Sequence, residues 1–133
     1  MLVEALFFPD PLALVISAIG SNPEFTDAAI SVDPRPDDFK GLYVCVRDAG
    51  GPGDWQHVFE DARVSVEVSH PDSVEASRAV RRIDQIIRSI HTSEGLWLDT
   101  VTRPYYSPDP DMRMPAYLVT HTIRARGVEV ATG

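Results

Sequence analysis

Asp109 and Asp111, two positions apart in "SPDPDMR", are residues of this 133-residue chain whose type and spacing invite chemistry. In an extended segment both side chains point the same way, a geometry that suits a divalent cation. Hard cations need several further oxygen ligands, however, and here Pro108 and Pro110 alternate with the aspartates. Asp-Pro steps form turns through side-chain capping of nearby backbone, and the turn reading takes precedence. His57, His70, His91 and His121 fall in four separate segments with no H-x-x-x-H pair, so zinc spacing is missing. Cys45 is the only cysteine, which rules out an intrachain disulfide; its alternating apolar neighbours mark it as a small core side chain.

The three glycines of "DAGGPG", residues 48–53, suggest a phosphate cradle only superficially. A P-loop needs a Lys and a Ser or Thr feeding a helix N-terminus, whereas this stretch leads through a proline toward another strand, so it reads as a flexible turn. The catalytic, cofactor and metal assignments from sequence are therefore none. Aromatic residues remain: Trp55, Trp97, Tyr105, Tyr106 and Tyr117. Trp and Tyr complete cores and also anchor protein interfaces, and Trp55 with the Tyr105–Tyr106 pair divides between those roles. Trp97, between Leu96 and Leu98, is expected in the core.

Charge narrows the partners. The net charge of −8 lies wholly in residues 1–61, with 11 acids against 3 bases; residues 62–133 hold 9 of each. That balance opposes binding to a phosphate backbone, which requires clustered Lys and Arg. It is compatible with a surface that DNA slides past. The apolar start, "MLVEALFFPDPLALVISAIG", has no basic n-region, carries Glu4 and Asp10, and is interrupted by Pro9 and Pro11. It makes a poor signal peptide and falls short of a membrane span, so synthesis in the cytoplasm is expected.

The elements that position these residues follow from periodicity. Asp10 before Pro11 predicts a capped helix over about residues 11–19, with Leu12, Val15, Ile16 and Ile19 on one face. Residues 21–41 read mostly as loop, with a short strand at Ala29–Val32. From Leu42 to about Asp48, Leu42, Val44 and Val46 alternate with Tyr43, Cys45 and Arg47 as in a strand. Residues 48–61 form a long loop of the kind that is usually functional or mobile, and "ARVSVEVS" a half-buried strand. A helix is predicted over about 73–91, capped by Asp72 with Glu75 as its capping-box partner, and striped by Ala76, Val80, Ile83, Ile87 and Ile90. Arg78, Arg81, Arg82 and Arg88 occupy its other faces, either as a solvated surface or facing the acidic half of a neighbouring copy.

A strand after Gly95 ends at Pro108, and "AYLVTHTIRARG" forms a last strand with Tyr117, Val119 and Ile123 on one face and Leu118 on the other. At this length one domain, residues 1–133, is expected, burying roughly two-thirds of its unfolded surface. The predicted fold class is α+β: a mainly antiparallel four- to five-stranded sheet covered by two helices on one face.

Several stretches then resemble the tail terminator proteins of long-tailed bacteriophages, in their actinobacterial-phage branch. They are a strand ending in "VRDAGG", a loop carrying "DW", the strand "RVSVEVS", the helix "DSVEASRAVRRIDQIIRSI" and the proline-rich aromatic stretch "RPYYSPDPDMRMPAYLVTHTIRARG". The likeness covers about residues 10–127 and rests on element order and loop residues. It implies a non-enzymatic assembly protein with no cofactor: a hexameric ring of identical copies in the virion, at the head-proximal end of the tail, assembled in the host cytoplasm. Such a ring caps the tail tube protein, stops its polymerisation, and offers a docking face to the head-side connector while DNA passes through the lumen without specific binding. No membrane is involved.

On that reading the docking candidates are Trp55, Tyr105, Tyr106, Asp109, Asp111 and Arg113, and the ring-interface candidates are Arg78, Arg81, Arg82 and Arg88. Two other readings stay open. One is another neck protein, such as a head-completion protein or a head-tail connector adaptor. The other is a small α+β enzyme or ligand-binding domain using Asp109, Asp111 and His121 around a pocket.

Overall fold

In the computed structural model, the described residues are 3–7, 10–51, 53–55, 59–94, 97–108, 114–126 and 128–132. The elements run β1 (Val3–Phe7), α1 (Pro11–Gly20), a 3-10 turn (Pro23–Phe25), β2 (Ala29–Ser31), β3 (Tyr43–Asp48), β4 (Gly53–Trp55), β5 (Phe59–Ser69), α2 (Ser73–Glu94), β6 (Trp97–Tyr106), β7 (Ala116–Arg126) and β8 (Val128–Thr132). The main sheet has the order β2-β3-β5-β7-β6, and β4 also pairs with β5. Among the described residues only β2 against β3 is parallel, and the other pairings are antiparallel. This is the predicted α+β class. The sequence reading missed β1 and β8, which pair with each other as a separate two-stranded ribbon, and it missed β4.

Local chemistry starts both helices. The Asp10 carboxylate accepts hydrogen bonds from the Leu12 and Ala13 amides at 3.0 and 3.4 Å, and Pro11 takes the first helical position, where a missing N–H costs nothing. Asp72 caps α2 through the Val74 amide at 2.9 Å. Glu75 does not complete a capping box but pairs with Arg78 at 3.2 Å, one turn along.

Register explains the core. Val44 lies opposite Val68, Val46 opposite Val66, and Val66 opposite Val119, so these side chains share one face of the sheet with Val64 and Ile123. Onto that face α1 brings Val15 and Ile19, and α2 brings Ala79, Val80, Ile83, Ile86, Ile87 and Ile90, all buried. Burying a Val or Ile side chain fully is worth about 1.5–3 kcal/mol, so this layer is the main source of stability.

Two segments read as loops prove to be built. The described residues of 48–61 are largely strand: Gly53, Asp54 and Trp55 lie opposite Asp61, Glu60 and Phe59. Strands β3 and β4 thus pair successively along the same edge of β5, with a glycine bulge between them. The Ala49 amide donates to the Arg63 carbonyl at 2.8 Å, and the Arg63 amide to the Gly50 carbonyl at 2.7 Å. Gly50 and Gly51 have φ of 81° and 116°, and a Cβ on Gly51 would lie 2.8 Å from the Asp61 carbonyl oxygen. The glycines therefore serve close strand approach rather than a free turn.

The second segment, residues 32–42, is pinned to the helix-free face by Arg35, which is only 6% exposed. Its guanidinium donates to the Ser69 carbonyl at 3.1 Å, the Ser69 hydroxyl at 2.9 Å and the Phe39 carbonyl at 2.7 Å. Its planar end also lies 5.3 Å from the centre of the Phe39 ring. The Tyr43 hydroxyl donates to the Asp33 carbonyl at 2.7 Å, and Phe39 meets Tyr43 edge-on.

A candidate assembly surface

The arginines of α2 line an open groove between that helix and strands β6 and β7. Two adjoining depressions of about 570 and 350 Å³ share Ser77, Arg81, Gln85 and Tyr117; Arg78 and Arg82 line the first, Arg88 and Arg103 the second. Five guanidinium groups thus collect on one surface of a chain whose net charge is −8.

Intrachain pairing divides these arginines. Arg82 donates through Nε to Glu24 at 2.9 Å and through Nη1 to Gln85 at 3.2 Å. Arg78 meets Glu75, and Arg88 meets Asp84 at 3.0 Å. The expected meeting of first-half acids with α2 arginines is therefore made partly within one chain, by Glu24 and Arg82 across the α1–α2 side of the fold. Arg81 and Arg103 make no hydrogen bond or ion pair among the described residues, which leaves their full donor capacity facing the groove.

Beneath the groove lies a polar contact that sequence reasoning missed. His121 is completely buried on β7, and its Nε2 lies 2.7 Å from Asp84 Oδ1. A carboxylate only accepts, so Nε2 carries the proton in the neutral imidazole; Nδ1 has no partner among the described residues. Burial lowers the His121 pKa, and the Asp84 hydrogen bond opposes that shift. The signal available in the sequence was parity: His121 shares the face of Val119 and Ile123.

The enzyme reading placed His121 at a pocket, but its burial under α2 makes it a packing partner of Asp84. Among the described residues no three His, Cys, Asp or Glu side chains come together as a metal site. Asp109, Asp111 and Arg113 lie outside the described residues.

The aromatic docking candidates do not form one patch. Tyr105 lies opposite Leu118 on the helix-free face, whereas Tyr106 lies opposite Tyr117 and meets its ring edge-on at 5.3 Å between centres. Trp55 lies opposite Phe59, which pairs with Arg126, so it sits toward the other end of β7 from the two tyrosines. Trp97, expected in the core, is 54% exposed. It faces away from the helices, opposite Arg124, while its neighbour Leu98 points inward. Strand β6 therefore presents Trp97, Val101, Tyr105 and Tyr106 as exposed large apolar side chains along one sheet edge. Register shifts on either side of Thr102 accommodate Pro104, as is usual for proline in an edge strand.

A cross-strand ion pair lies at the Trp97 end of this face. Arg124 donates to Asp61 through Nε at 2.7 Å and Nη2 at 2.9 Å, a two-point contact. That hydrogen bonding holds the Asp61 carboxyl below its ordinary range and raises Arg124.

No protein-family model and no curated protein matches the chain. Among solved structures its fold is similar to that of a chain in the virion of a native gene transfer agent particle, with a TM-score of 0.53 and 14% identity, covering 88% of this chain and 95% of that chain.

Proposed function

We propose that this chain is a ring-forming structural protein of a phage-type virion, acting as a tail terminator. It caps the tail tube, stops tube polymerisation and offers a docking face to the head-side connector, with DNA passing through the lumen. The observation that carries this reading is the shared fold with a virion chain, which extends over nearly the whole of both chains. The element order and loop residues noted in the sequence supply the finer role.

Three features support it. The groove arginines face a chain with an acidic first half, which is the charge arrangement for a heterologous contact between identical copies. Strand β6 exposes aromatic side chains beside the proline-rich stretch that runs to Pro115, giving contact area whose ordering cost on docking is reduced by proline. The excess of acids in residues 1–61 suits a passage that repels phosphate.

Negative-stain imaging of the purified protein with and without tail tube protein tests the role. Rings seated at one end of tubes are expected. Association with portal-side proteins and none with tubes would assign the chain to a neck adaptor instead.

A further inference from the structure

We infer that the loop of residues 32–38 on one copy is the knob that fills the arginine groove of the next. The inference rests on the ring reading above and names the two surfaces that would make the ring.

The loop is built as a rigid acidic projection. Asp33, Asp37 and Asp38 are exposed on it, as is Val32 at 52%, while Arg35 is buried beneath them. Arg35 ties the loop to Ser69 and Phe39, Tyr43 holds the Asp33 carbonyl, and Pro34 and Pro36 restrict the backbone. A segment already fixed in this way loses little entropy on docking. A guanidinium placed inside the loop leaves the carboxylates outside, with no ion pair to them among the described residues.

The groove supplies the complement. Arg81 and Arg103 are unpaired among the described residues, and Val74, 59% exposed, lies at one end of the groove as an apolar contact for Val32. The position of the two surfaces sets the kind of assembly. The loop covers the helix-free face beside β3, and the groove lies on the helix face beside β6, at the other side of the sheet order. The sheet separates them, so a chain cannot fill its own groove, and contact passes head to tail from copy to copy. Heterologous contacts of this kind close into a ring when the rotation from copy to copy closes, and the ring reading supplies that closure.

Two charge-reversed variants test the inference: Arg81→Glu with Arg103→Glu in the groove, and Asp37→Arg with Asp38→Arg on the loop. All four positions are exposed or groove-lining, and circular dichroism with thermal melting checks that each variant folds. Light scattering after size exclusion, without and with tail tube protein, reads assembly. Each variant alone should need about a hundredfold or more higher concentration for half-assembly, because facing like charges cost several kcal/mol. Mixed in equal amounts they should assemble like the wild type, since alternation sets a basic loop against an acidic groove at one junction and the native pair at the next.

Variants that each still form wild-type rings would overturn the inference while leaving the ring reading intact. So would variants that stay apart when mixed, or a groove variant that forms rings and loses only tube binding. A wild-type chain that never forms rings, even on tubes, would remove both readings.

Discussion

Nε2 of His121 lies 2.7 Å from Oδ1 of Asp84, joining the middle of β7 to α2 through the core. The second Asp84 oxygen accepts from Arg88 at 3.0 Å, so one carboxylate holds both a buried imidazole and an arginine one turn along its own helix. Burial depresses the His121 pKa in the folded chain below its unfolded value. The unfolded chain therefore takes up a proton first as pH falls, and this residue's contribution is present above about pH 6.5 and is lost below it. Urea midpoints measured from pH 8 to pH 5 should decline, and the decline should be shallower in His121→Leu. An unchanged slope in that variant would place the pH response elsewhere.

Arg35→Ala should cost about 2–4 kcal/mol, because it removes three hydrogen bonds and strands buried acceptors at Ser69 and a half-buried one at Phe39. Arg35→Lys should recover little of this, since an ammonium lacks the planar fork that reaches both sites. Equilibrium urea unfolding reads the effect, and a loss below about 0.5 kcal/mol, typical of surface substitutions, would show that the loop holds without its clamp.

The two adjacent glycines after Ala49 should respond differently to alanine. At Gly51 the added carbon meets the Asp61 carbonyl oxygen at 2.8 Å and the Arg63 nitrogen at 3.0 Å, while at Gly50 nothing lies within 4 Å. Both carry positive φ, so both substitutions are strained, by about 1–3 kcal/mol. Only Gly51→Ala should also part the strands, seen as faster amide exchange at Arg63. Equal exchange in the two variants would contradict the close approach.

These cases show what the sequence made legible. Caps, periodicity and alternation identified α1, β3, β5 and α2, because each rests on local chemistry such as the Asp10 and Asp72 caps or the valine alternation of β5. Arg35 and His121 were not legible as structural residues. A polar side chain reads as surface until its partners, distant in sequence, are known: Ser69 for the first and Asp84 for the second. Trp97 failed for a related reason, since an edge strand with only one face covered leaves every second side chain outside. The glycine bulge failed because a break in one strand can be seen only against the strand it follows.

Tyr105 and Tyr106 separate docking from stability. Tyr105 is 44% exposed on the helix-free face, so Tyr105→Ser should change the melting temperature little and still lower cosedimentation with tail tubes. Tyr106→Ser forfeits the edge-on contact with Tyr117, worth about 0.5–1.5 kcal/mol, and should melt earlier. Full tube binding by Tyr105→Ser would remove that residue from the docking face.

The ribbon of β1 and β8 has a topological consequence. Val3 lies opposite Thr132 and Phe7 opposite Val128, so β1 and β8 are held side by side although every strand of the main sheet lies between them in sequence. A short turn joining the two strands would make them an ordinary hairpin, and new ends cut at residues 56–58, between β4 and β5, would leave every described strand pairing intact.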